Sequence, residues 1–321
     1  MNPKTINLAV IGAGEWAQLY HLPAVRYLQK KYSLQITGIW NRTTEKAHAA
    51  ARKFGIQRVY SGLDEMLRDP DINCFAIVVH ADALKGVLDK VLARNLPVLT
   101  EKPPGRNYDE AKALSHAVKV TNVVAFNRRY TPLNQKFNQI VRQMQGIYFA
   151  ECHFYRHQRH YADFITETGI HGINFMEYLF GKVQTVLTEK WKNPENDTNI
   201  WISSMVFESG VKGLMKFFPC SGSSVERYEV HSKDISAYLH SPQHYTEDIP
   251  GRIIVHKKSK IHRIIEGGEE DDPVIVSGFV GEYSDFFDAI LYDKATVSNF
   301  QNASHSMLLA EAIETGGRFA G

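Results

Sequence analysis

The first third of the chain alternates short, continuously apolar runs with longer amphipathic ones. "INLAVI" (6–11), "LQITGIW" (34–40), "CFAIVV" (74–79), "PVLTE" (97–101) and "NVVAF" (122–126) read as strands buried on both faces. Between them lie helix patterns: a stretch to about residue 31 with a break or fresh start at Pro23, then 44–54, a short piece around "LDEMLRD", 83–95 and 108–120. Strict strand–helix alternation predicts a doubly wound parallel sheet with helices on both faces.

Near Asn127 the pattern changes. A helix bounded by Pro132 and Gly146 is followed by longer runs in which apolar and polar residues alternate: "YFAECHFYR", "VQTVLTEKW", "TNIWISSMVF", "VKGLMKFF", "VERYEVHS" and "GRIIVHKKSKIHRIIEG". Such runs suit strands with one solvated face. One helix, around "GINFMEYLF", interrupts them, and two close the chain, "EYSDFFDAILYD" and "SHSMLLAEAIET". The expectation is a dinucleotide-binding domain over 1–124 and an α+β domain on a mostly antiparallel sheet over 125–321.

Composition narrows the function classes. A chain of 321 residues can bury two cores, and 44% hydrophobic with 22% charged residues is ordinary globular usage. A net charge of +2 gives no global field for nucleic acid, and no apolar run is long enough to span a bilayer. Three scattered cysteines, Cys74, Cys152 and Cys220, argue for a reducing compartment, and the cytoplasm is the expected location. No residue set suggests a metal site: His157 and His160 lack a third ligand.

"VIGAGEWA" places Gly12-x-Gly14-x-x-Ala17 after a buried strand and before a helix, with Glu15 and Trp16 inside the turn. A tight turn at Gly12, open backbone at Gly14 and a small residue at Ala17 suit a pyrophosphate at a helix N-terminus. At the end of the second strand Asn41, Arg42 and Thr43 stand where NAD binders usually carry a carboxylate. Arg42 can pair with a 2′-phosphate, so NADP is expected over NAD, although a neutral Asn41 tolerates either.

"VLTEKPPG" ends the fifth apolar run in Glu101 and Lys102 and then locks the backbone with Pro103 and Pro104. Ligands of doubly wound sheets bind outside the carboxyl ends of the strands, which is where Lys102 sits. There its ammonium can orient a substrate oxygen or exchange a proton with it.

The glycine turn, "TEKPPG", "FNRRYTP" and "ETGIHGINFMEYLFG", in that order and spacing, resemble the Gfo/Idh/MocA family of NAD(P)-dependent oxidoreductases, close to its virulence-factor-like branch. The resemblance implies a Rossmann domain followed by a large open-faced sheet through which subunits form a homodimer or homotetramer. It implies a small-molecule substrate, sugar-like or polyol, while the charge and hydropathy above argue against nucleic acid and membrane as partners. It gives Lys102 a catalytic or orienting role and sets Glu101, Asn127 and Arg128 near the nicotinamide. The family's second motif is commonly Asp-x-Gly-x-His-x-x-Asp, and here it reads Glu167, Gly169, His171 and, in place of the last acid, the neutral Asn174. On a helix Glu167, His171 and Asn174 share a face, with His171 as general base and Glu167 orienting it.

"FYRHQRHYADF" brings Tyr155 and Arg156 to a region that lies near substrate in this family, although a solvated loop is an equal reading. Two alternatives to a sugar or polyol oxidoreductase stand beside it: a non-catalytic NADP-binding regulator of the same fold, and a reductase of a non-sugar substrate.

Overall fold

The computed structural model describes residues 5–160, 162–243, 246–268 and 272–320. Packing divides the chain into two units, Met1–Asn127 with Phe279–Ser304, and Arg128–Gly278 with His305–Gly321.

The first unit is built on five parallel strands: β1 (Ile6–Ile11), β2 (Leu34–Trp40), β3 (Cys74–Ile77), β4 (Val98–Thr100) and β5 (Asn122–Val124). Their order is β2-β1-β3-β4-β5, so the winding reverses between β1 and β3. That reversal opens the crevice where such sheets bind ligands, at the strands' carboxyl ends. All four residues of β3 are buried, as expected of a strand covered on both faces. The helices are α1 (Leu22–Leu28), α2 (Thr44–Phe54), α3 (Leu63–Arg68), α4 (Ala81–Leu92) and α5 (Tyr108–Ala117). The break expected at Pro23 is a change of winding: a π-wound turn, Ala17–His21, passes into α1 with the proline at its start. Helix α2 stops where Gly55 takes a left-handed conformation, and α5 starts where Asn107 caps the Glu110 N–H.

The second unit begins with α6 (Pro132–Gln143), β6 (Ile147–Tyr155), α7 (Ile170–Phe180), β7 (Val183–Lys192), β8 (Asn199–Phe207) and β9 (Lys212–Phe218). It continues through β10 (Val225–Ser232), β11 (Ile235–His240), β12 (Arg252–Lys257), β13 (Lys260–Glu266) and α8 (Pro273–Val276). Helix α9 (Phe279–Tyr292) packs against α1 and β5 within the first unit, and α10 (Phe300–Thr315) and β14 (Gly317–Ala320) close the chain. Among the described residues the second sheet has the order β13-β12-β11-β10-β6-β9-β8-β7-β14. It is antiparallel except for the parallel pair β6 and β9. Two of its strands, β11 and β14, are short and were not expected from the pattern. The β12–β13 hairpin turns on Lys258 and Ser259, both left-handed, as a two-residue turn requires.

Alternation along β6 assigns the faces of this sheet. Ala150, Cys152 and Phe154 are fully buried, whereas Phe149, Glu151, His153 and Tyr155 lie half-buried on the other side. Helix α7 covers the buried side and presses close at two glycines. A Cβ on Gly172 would lie 2.9 Å from the Phe154 ring, and one on Gly169 3.0 Å from the Phe217 ring.

Candidate functional site

The glycine turn stands at the sheet's switch point. Gly12 has φ +109, and a Cβ there would lie 2.0 Å from the Val78 carbonyl oxygen at the end of β3, so only glycine fits. Gly14 has open space around it: a Cβ there would meet nothing within 4 Å. The turn is clipped to β2 by Asn41, whose Oδ1 accepts the Ala13 N–H at 2.9 Å while its Nδ2 donates to the Thr43 carbonyl. Ala17 is buried against the sheet; Glu15, Arg42 and Thr43 are exposed. A tight turn, an unobstructed glycine and a following helix start are what a nucleotide pyrophosphate needs, so these residues fit a dinucleotide.

At the end of β4 the charged pair is held from several directions. Glu101 is buried, and its Oε1 accepts from Trp16 Nε1 at 3.1 Å and pairs with His21 Nε2 at 2.7 Å. Its Oε2 accepts the Lys102 backbone N–H at 3.0 Å. The other nitrogen of His21 meets the Tyr283 hydroxyl at 3.0 Å, and His21 is 1% exposed. With Nε2–H donating to the carboxylate and Nδ1 accepting from the phenol, every polar atom of this imidazole is used. Burial pushes the Glu101 carboxyl up, but His21 and Lys102 outweigh it and hold the group below its usual range, hence ionised. Burial, with Glu282 and Glu101 nearby, raises Tyr283 well above a free phenol. The Lys102–Pro103 peptide bond is cis. Lys102 is half-buried, and Asn127 is buried at the start of a short 3-10 turn, Asn127–Arg129.

In the second unit the Glu167–Asn174 segment is helical throughout, but its first part is π-wound over Ile165–Gly169. π winding thus occurs directly after the glycine turn, at Ala17–His21, and at the start of the segment that carries His171, a winding found often at functional sites. His171 is 6% exposed on α7, beside the glycines that bring the helix onto the sheet, and Glu167 lies one turn earlier, half-buried.

Asn174 has both ends of its amide bonded within the protein. Arg129 Nε donates to its Oδ1 at 2.6 Å, and its Nδ2 donates to Ser306 Oγ at 2.9 Å. Ser306 in turn donates to Glu177 Oε2 at 2.6 Å, and Glu177 Oε1 meets His305. Arg128 and Arg156, placed by the sequence near cofactor and substrate, are buried on either side of Glu226. Arg128 makes a bidentate pair with it at 3.0 and 2.7 Å, and Arg156 Nη2 bonds the same carboxylate. Tyr155 lies on the sheet face away from α7, stacked on Phe218 at 4.5 Å, because adjacent residues of a strand point oppositely. The structure thus gathers Glu167, His171 and Asn174 on one segment and leaves Tyr155 apart from them.

Sequence reading missed His21, Tyr283 and Glu226. His21 carries a faint signal, a histidine inside the apolar "YHLPAV"; the other two are separated from their partners by 262 and 98 residues and carry none.

Residues 6–128 match the model of the GFO_IDH_MocA family, described as an oxidoreductase family with an NAD-binding Rossmann fold. The chain is 30% identical over 132 residues to the uncharacterized protein YMR315W of Saccharomyces cerevisiae, covering 40% of this chain and 37% of that protein. It therefore spans little more than a third of that relative. It is 24% identical over 229 residues to the scyllo-inositol 2-dehydrogenase (NAD(+)) of Bacillus subtilis, covering 65% of this chain and 66% of that enzyme. A levoglucosan dehydrogenase solved with NADH and levoglucosan shares the fold, with a TM-score of 0.84 and 18% identity over 97% of this chain and 96% of the other. The family match thus covers residues 6–128, which include all five strands of the first sheet.

Proposed function

We propose that this protein is a Gfo/Idh/MocA-type, NADP-preferring oxidoreductase that interconverts C–OH and C=O on a sugar-like or polyol substrate. The observation that carries the reading is Lys102 at the carboxyl end of β4, its backbone tied to an ionised Glu101, in the same unit as an open glycine turn. The names of a scyllo-inositol 2-dehydrogenase and a levoglucosan dehydrogenase among similar proteins support the substrate class. The preference for NADP rests on the exposed Arg42 beside Asn41, where no carboxylate stands.

A nicotinamide, when bound, supplies the site that takes or gives the hydride. Gly12, Gly14 and Ala17 form the pyrophosphate turn, and Asn41, Arg42 and Thr43 meet the adenosine ribose and its phosphate. Lys102 orients the substrate oxygen and favours negative charge on it. His171 takes the hydroxyl proton on oxidation and returns it on reduction. Glu167 sets the orientation of His171. Arg128 and Arg156, committed to Glu226, and Asn174, committed to Arg129 and Ser306, shape their surroundings from beneath. Subunits associate through the open face of the second sheet, where Leu187 is half-exposed beside Phe149 and Leu214.

The test is a titration of the purified protein with NADPH and NADH, followed by turnover assays on sugars, polyols and their keto forms. Preferential NADPH binding with turnover of at least one panel member is expected. Tight cofactor binding without any turnover favours the regulator of the same fold, and stronger NADH binding removes the role given to Arg42.

A further inference from the structure

One carboxyl group that the mechanism leaves unused sits against the segment that carries His171. Glu314 lies in the last turn of α10, and its Oε2 accepts the Ile165 backbone N–H at 2.7 Å. Ile165 opens the π-wound turn that runs directly into α7. The other oxygen, Oε1, is buried without a hydrogen-bond partner among the described residues. The backbone around Glu314 is itself fixed: its carbonyl accepts from Lys190 Nζ at 2.7 Å on β7 and from Trp201 Nε1 at 3.3 Å on β8. An anchored side chain thus reaches over to hold the first turn of a segment that carries Glu167 in that turn and His171 just after it.

We propose that Glu314 is a positioning residue for His171: its carboxyl clamps the first turn of this segment, and loss of its proton loosens the clamp. The proposal rests on the reading of His171 as the proton acceptor, but its first consequence needs no turnover. Burial pushes the Glu314 carboxyl up to about 7; the Ile165 and Thr166 N–H groups and Lys190 oppose the rise, and Asp163 adds to it. Asp163, just before the turn, and Lys190 are the charged side chains that act on it. Releasing the turn hydrates the carboxyl and returns it toward an ordinary acidity. The enclosed arrangement therefore favours the protonated form, and rising pH through neutrality shifts the balance toward release. A π turn, rarer and less well bonded than α winding, depends on such outside contacts to keep its register.

The test is hydrogen–deuterium exchange of the full chain at about pH 5.5 and about pH 8, corrected for intrinsic rates. In the wild type, residues 165–171 are expected to lose protection by roughly tenfold across that interval. Glu314→Gln keeps a neutral acceptor for Ile165 and is expected to stay protected at both values. Glu314→Leu removes the acceptor and is expected to lower protection at both; if it folds poorly, the glutamine comparison stands by itself. Equal exchange in wild type and Glu314→Gln at both pH values overturns the clamp, as does an equal loss in both. Where a substrate is turned over, kcat of the wild type relative to Glu314→Gln is expected to fall above neutrality with cofactor Kd unchanged. Absence of turnover alongside the exchange difference removes the His171 reading and leaves the clamp, so the two fail separately.

Discussion

His21 and Glu101 form a buried pair 2.7 Å apart, and through it the π-wound turn before α1 holds the residue that precedes Lys102. The pair is one link in a line that runs from Tyr283 on α9 through His21 to Glu101 and the Lys102 backbone. Removing the imidazole leaves an ionised carboxylate short of a donor in a closed space, which typically costs about 3 kcal/mol or more. His21→Leu is therefore expected to lower unfolding stability by that order and to reduce kcat. His21→Gln, which can still donate to Glu101, is expected to recover most of both. Denaturant unfolding and steady-state rates on the three proteins check this; equal behaviour of Leu and Gln variants contradicts it.

Glu226 neutralises two guanidinium groups in a space closed to solvent, at 0% exposure. Glu226→Gln strands both, and a loss of about 3–5 kcal/mol of stability is expected from urea titration. The acid dependence follows in sign. Burial raises the carboxyl, but Arg128 and Arg156 prevail and hold it below its ordinary value. Its contribution to stability is thus full above the unfolded-state pKa and is lost as pH falls through the lower folded-state pKa. The wild type is expected to lose stability over that acid interval, and the glutamine variant to show a shallower loss.

Gly172→Ala puts a methyl group 2.9 Å from the Phe154 ring. The helix must move off the sheet or the ring must shift, at a typical cost of about 1–3 kcal/mol. Because His171 is the neighbouring residue, kcat is expected to fall more than the affinity for cofactor. Thermal unfolding and cofactor titration together distinguish this from a change confined to packing.

Arg42 is exposed just after β2. Arg42→Ala is expected to weaken NADPH binding by about tenfold or more, the loss of a charge-assisted hydrogen bond, while leaving NADH within about twofold. Equal losses for the two cofactors in a fluorescence titration contradict the assignment.

Much of the first unit was legible because its signals are local. A buried strand, Gly12, Gly14 and the proline-locked Glu101–Lys102 pair all lie within short windows, and the parallel sheet follows from the alternation they sit in, although its strand order does not. The helix that carries His171 was legible for the same reason. The supports of these residues were not. Tyr283 reaches His21 across 262 residues and Ser306 reaches Asn174 across 132, so no window of sequence contains both partners. The π winding at Ala17–His21 and Ile165–Gly169 was equally hidden, since it depends on tertiary contacts rather than on propensity. Strand β11 was missed because "ISAYLH" is short and mixes serine and histidine with its apolar residues, and its place is secured by pairing on both sides. Tyr155 illustrates the converse: its neighbours suggest a ligand site, but strand alternation turns it to the opposite face.

The central claim is that Lys102 and His171 serve the same oxidation and reduction. The most direct measurement is the rate of reduced nicotinamide formation from NADP with a polyol or sugar panel, in wild type, Lys102→Ala and His171→Ala, each with its cofactor Kd. The account predicts turnover in the wild type and a fall of about a hundredfold or more in kcat for each variant, with cofactor Kd changed only severalfold. Wild-type turnover that survives in either variant at an undiminished rate would contradict it.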